Sequence, residues 1–113
     1  MKKILHIVAK NKYDLGAPLY EGDTLKTEGF IHCSTPEQVV EVANYMFRGK
    51  TGLELLVIDA DKVTAPIKYE DAGNGKLYPH IYGPLNTEAV MFTIDFAPQL
   101  DGTFKLPDLT DTK

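Results

Sequence analysis

One cysteine stands in the chain, Cys33, so an internal disulfide and an all-cysteine metal cage are both excluded. Long apolar runs are missing too: no stretch approaches the roughly 18 residues that a membrane-spanning helix requires. Clusters of positive charge are also absent. The 12 lysines and arginines are scattered, only Lys2-Lys3 being adjacent, and the formal charge is −4. Gripping a phosphate backbone needs clustered Lys and Arg, so this distribution argues against DNA as a partner. Internal repeats and low-complexity segments are lacking as well. The opening MKKILHIVAK has the two lysines and short apolar stretch of a secretory leader. His6 interrupts that stretch, Lys10 closes it, and no small-residue cleavage site follows. A first strand is the better reading, and a cytoplasmic protein is expected.

What is present suffices for one domain. A chain of 113 residues, 43% hydrophobic and 25% charged, has the composition of an ordinary globular domain and no room for two separate cores. KILHIVA (3–9), GFIHC (29–33), PIKYE (66–70), LYPHIY (77–82) and AVMFTIDF (89–96) read as strands. LELLVID (53–59) is an unbroken apolar run of strand length, expected at the centre of a sheet. Pro79 marks its own segment as an edge or a strand start. Gly16, Pro18 and Gly22 make 10–27 a region of turns, with one helical turn near Asn11. The strongest local signal is a helix over about 36–48. Ser34 or Thr35 caps it, Pro36 suits its first turn, and Glu37 or Gln38 completes a capping box. Val39, Val42, Ala43, Met46 and Phe47 recur at helical spacing, and Gly49 stops the run. The fold class expected is α+β, as one domain over 1–97 followed by an irregular tail over 98–113.

Three histidines, His6, His32 and His80, lie in or beside predicted strands among apolar neighbours. Three readings stay open for them. Each is a half-buried strand residue bonded to backbone, or a metal ligand, or a hydrogen-bonding group for a polar ligand. Wide spacing disfavours the metal, since metal motifs keep two ligands close in sequence. Cys33 suggests a Cys–His nucleophile, yet neighbouring strand residues point to opposite faces. Cys33 therefore goes to the core and His32 to a cleft, with Ser34 either a helix cap or a ligand contact. Tyr78, His80 and Tyr82 alternate and share a face that could stack a planar ring. Asp59, Asp61, Glu70 and Asp71 read as turn residues without a paired-carboxylate signature.

EGFIHCST (28–35), VANYMFRG (42–49), LLVID (55–59) and YPHIYGPL (78–85), with LHIV (5–8) and Leu19-Tyr20, resemble a bacterial family catalogued as domain of unknown function 952. The resemblance covers about residues 4–96. That family is grouped by fold with the ADP-ribosyltransferases, which wrap nicotinamide adenine dinucleotide between two small sheets. The resemblance implies a small split-sheet ADP-ribosyltransferase-like fold with NAD or an ADP-ribose-like molecule as its ligand. His6 matches the position that holds ADP-ribose, His32 and Ser34 the strand beside the nicotinamide ribose, and PHIYGPL the motif that carries a catalytic glutamate. His80 and Tyr82 stand there instead of a glutamate. RNA 2′-phosphotransferases share the fold and lack that glutamate but use several arginines, whereas Arg48 is the single arginine here.

The expectation is a cleft lined by His6, Tyr20, His32, Ser34, His80 and Tyr82 that binds a nucleotide-like or phosphorylated molecule. His32 and His80 are the catalytic candidates, for ADP-ribosyl or phosphoryl transfer by a transferase lacking the usual glutamate. His6, Tyr20, Ser34 and Tyr82 are the binding candidates, Tyr82 by stacking. A non-catalytic binding domain on the same fold and a metal-dependent enzyme using the three histidines are the alternatives.

Overall fold

A computed structural model gives the fold and describes residues 2–14, 16–71 and 73–110. Eight strands and two short α-helices follow in the order β1 (Lys3–Ala9), β2 (Leu19–Tyr20), α1 (Leu25–Glu28), β3 (Ile31–His32), α2 (Val39–Met46), β4 (Leu53–Asp59), β5 (Ile67–Asp71), β6 (Leu77–Ile81), β7 (Leu85–Asn86) and β8 (Val90–Phe96). They form two three-stranded antiparallel sheets, β1-β4-β8 and β3-β6-β5, and a two-stranded pair, β2-β7. The chain is thus mixed α and β, mostly sheet. Among the described residues, no helix is long and apolar enough to cross a membrane.

Strand β4 occupies the centre of its sheet, as its unbroken apolar run requires. Leu55, Leu56, Val57 and Ile58 are fully buried, on both faces. Burying each such side chain stabilises the fold by about 1.5–3 kcal/mol before chain entropy is charged. The odd members of that run join Leu5, Val39, Ala43, Phe96 and Phe104 on one side of the sheet. The even members join Ile4, Ile31, Cys33 and Ile81 on the other. Residues 98–110 contain no helix or strand, yet Phe104 is buried against Phe96, with ring centroids 4.7 Å apart.

Helix α2 is shorter than its apolar periodicity predicts, spanning Val39–Met46 instead of 36–48. Residues 36–38 form a turn in which Gln38 and Val39 both donate to the Thr35 carbonyl. Gln38 Oε1 accepts from the Thr35 amide, the returning half of a capping box, while Ser34 makes no cap. Phe47 leaves helical geometry, and Gly49 follows at φ 74°, the left-handed turn expected after a helix.

Pro79 also departs from expectation: it lies in β6, the middle strand of its sheet. The neighbouring strand accommodates it by stopping. Ile31 pairs with Ile81 and His32 with His80, so Cys33 stands opposite Pro79. The Cys33 amide donates to the Pro79 carbonyl at 3.0 Å, but proline has no N–H to return. Strand β3 therefore ends after two residues. Ser34 turns to the other sheet, exchanging two main-chain hydrogen bonds of 2.8 Å with Leu5. Residues 31–34 are the seam between the two sheets.

Candidate functional site

His6 is presented by β1 at that seam. Its Nδ1 lies 2.6 Å from the main-chain oxygen of His32, and its Nε2 lies 2.8 Å from the Tyr20 hydroxyl. A carbonyl can only accept, so Nδ1 carries the proton and Nε2 accepts from Tyr20. Burial pushes the His6 ring below its ordinary pKa of 6.5, favouring this neutral form. Burial likewise lifts the Tyr20 hydroxyl far above 10, keeping it a donor. Both nitrogens of His6 are committed, which makes this histidine an organiser of the seam.

His32 and His80 are directly opposed across β3 and β6, and their rings meet edge to face with centroids 5.3 Å apart. Each holds a glutamate. His32 Nε2 lies 3.1 Å from Glu28 Oε1, and His80 Nδ1 lies 2.9 Å from Glu70 Oε1. The Tyr82 hydroxyl donates to the same Glu70 oxygen. Those two donors, Tyr82 first, hold the Glu70 carboxyl below its ordinary range. Phe30 stacks on His80 at 4.0 Å and 16°, fixing the ring plane. With Nδ1 bound to a carboxylate, His80 presents Nε2, which no described residue bonds. Among the described residues Tyr13 Oη is the single enclosed side-chain nitrogen or oxygen without a partner, and the His80 ring lies beside an open space.

That space is a cleft of about 850 Å³ lined by His6, Tyr20, His32, Cys33, Ser34 and His80, with α2 and Tyr78 along its walls. Ser34, one of the lining residues, makes no side-chain hydrogen bond to a described residue. Cys33 belongs to the core cluster but also borders the cleft, so alternation does not keep it apart from His32; burial raises its thiol far above the ordinary value, which removes it as a thiolate nucleophile. Tyr82 does not line the cleft: it lies beyond the end of β6, against Phe30 at 5.3 Å and beneath Lys68. Among the described residues no three His, Cys, Asp or Glu side chains come together as a metal-binding group.

Glu28, Phe30 and Glu70 belong to the site although their residue types did not mark them. Glu70 lies inside β5, as the strand expected over 66–70 implies and its inclusion among the turn carboxylates does not. The signal was available in the hairpin: with its tip at Gly73-Asn74-Gly75, Glu70 falls opposite Tyr78, diagonal to His80 on the same face.

The arrangement defines a small antiparallel α+β protein with two glutamate-paired imidazoles at the seam of its sheets. The chain belongs to the family described as "Protein of unknown function (DUF952)", whose profile matches residues 7–93. It is similar to the crystal structure of protein CC0527 from Caulobacter crescentus at 32% identity, over 92% of this chain and 94% of that one, with a TM-score of 0.82. The solution NMR structure of CC0527 matches at 32% identity over 100% of both chains, with a TM-score of 0.81. Neither name carries an activity or a ligand. No curated protein matches the chain.

Proposed function

We propose that the cleft binds a phosphorylated or nucleotide-like small molecule and that His80 and His32 carry out acid–base phosphoryl transfer on it. One observation supports this above the others: two imidazoles, each held by its own glutamate, stand 5.3 Å apart at the wall of a cleft. His80 Nε2 takes the proton of an attacking hydroxyl or water as its oxygen bonds to phosphorus. His32, protonated and donating through Nε2 to Glu28, gives its Nδ1 proton to the departing oxygen as the P–O bond breaks. His80 then releases its proton to solvent and half-exposed His32 regains one. Ser34 Oγ donates to a phosphoryl oxygen. His6 and Tyr20 hold the His32 main chain in place.

ADP-ribosyl transfer on an ADP-ribosyltransferase-like fold is the second reading. The division of strands between two small sheets with a cleft at their junction favours it. Asp23, Glu28 and Glu41 are engaged by Lys12, His32 and Lys76, so among the described residues no free carboxylate favours a cationic sugar by charge in the cleft. Glu70 is engaged by His80 and Tyr82 and does not line it. Phosphoryl transfer is therefore the better match.

Calorimetric titration with a 2′-phosphorylated RNA end, ADP-ribose and nicotinamide adenine dinucleotide tests the ligand. Heat is expected with the phosphorylated end, and silence for all three at millimolar concentration would refute the ligand class. Phosphate release by His80→Gln and His32→Ala tests the chemistry, with losses of about 10²-fold or more expected for each. Retained binding with no turnover in the unaltered protein would leave a binding domain.

A further inference from the structure

We infer that the ligand carries a planar aromatic ring and that this ring lies on an open shelf formed by Tyr45 and Met46 of α2. The inference rests on the reading above, that the cleft holds a phosphorylated or nucleotide-like molecule. Helix α2 has two apolar faces where a surface helix has one. Val39 and Ala43 enter the core. Val42, Tyr45 and Met46, at i, i+3 and i+4, form a second stripe that lines the cleft. Among the described residues nothing covers it: Tyr45 is 89% exposed and Met46 66%.

The shape of this stripe selects its occupant. A shelf open to water can cover only one side of what rests on it. A flat ring gains most of its contact from one face, by offset stacking on tyrosine and by contact with the polarizable thioether. An aliphatic chain on the same shelf would stay half in water and lose its rotational freedom. Charge points the same way. Lys12 is paired with Asp23 and Lys76 with Glu41, whereas Lys50 lines the cleft beside the shelf without a carboxylate partner among the described residues. Its ammonium lies 5.8 Å from the Phe47 ring centroid. An aromatic ring and an anionic group on one molecule describe a nucleotide, with its base on Tyr45 and its phosphate at His32, Ser34 and His80, Lys50 adding positive charge to the same cleft.

The test compares adenosine 2′-monophosphate with its base-free counterpart, ribose 2-phosphate, by calorimetric titration of the unaltered protein, Tyr45→Ala and Tyr45→Phe. Because Tyr45 is exposed, both variants should keep the parent circular dichroism spectrum. Expected is binding of the nucleotide at least tenfold tighter than of the sugar phosphate, lost in Tyr45→Ala and kept in Tyr45→Phe. Equal affinities for the two ligands, or an equal loss for both in Tyr45→Ala, would overturn the aromatic shelf while leaving the phosphate reading in place. Silence of both ligands with the unaltered protein would overturn the two together. A dimer by light scattering that Tyr45→Ala dissociates would assign the shelf to a second copy of the chain and also overturn the inference.

Discussion

Two side chains of the site make stability depend on pH in the same direction but over different ranges. Glu70 is held below its ordinary pKa of 4.5 by donation from Tyr82 and His80, so the folded chain resists protonating it. Its contribution is complete above the unfolded value and is lost as pH falls through the folded one. His6 is held below 6.5 by burial, so between its folded pKa and 6.5 the unfolded chain binds more protons. Stability there also declines on acidification, beginning higher. Urea midpoints measured from pH 7.5 to 3 separate the two. His6→Gln, which retains an amide within reach of Tyr20, should flatten the decline that starts near pH 6.5. Glu70→Gln should leave that decline intact and flatten the one below about pH 4.5. A parent protein whose midpoint is unchanged between pH 7.5 and 5 would contradict the His6 assignment.

Elements that bury a regular pattern were legible in the chain: KILHIVA, LELLVID and VMFTIDF each became a strand because apolar residues there meet a continuous core. Short elements were not, since partners distant in sequence decide them. Strand β3 is two residues long because Pro79, on another strand, withholds an N–H. Helix α2 loses its first predicted turn to the Thr35–Gln38 contacts; the helical turn expected near Asn11 stands as a 3-10 turn over Lys10–Lys12, whereas α1 arises where only non-helical turns were expected. The histidines were legible as candidates by type. Their glutamates were less so: Glu70 is reached only by working out the register of β5 on β6 from the hairpin tip, and Glu28 only through the turn between α1 and β3. The segment after residue 97 is irregular in path but contributes Phe104, only 3% exposed, to the core. Its amide donates to Asn44 Oδ1 at 2.7 Å, tying it to α2. Phe104→Ala should cost about 3–5 kcal/mol in urea unfolding. A chain ending at residue 97 should lose at least as much, because Phe96 would then face water. Unchanged stability in the truncated chain would show that the domain closes without this segment.

Across the whole molecule the two three-stranded sheets are joined along residues 31–34, which bond β6 on one side and β1 on the other. Such a joint couples the halves, so circular dichroism and tyrosine fluorescence should report one coincident unfolding transition. Ser34→Pro removes the amide that donates to Leu5 and should lower stability by about 3 kcal/mol or split the transition. Two separate transitions in the parent protein would mean that the sheets fold independently and that the seam carries no coupling. The cleft stands where β3 stops, and β3 stops for want of a single hydrogen atom on Pro79. Its opening is therefore specified by subtraction: an alanine at that position would supply the missing donor and let Cys33 pair in full. An intact ladder would then stiffen the main chain that His6 and Leu5 now hold, turning a junction between sheets into an ordinary continuation of one of them.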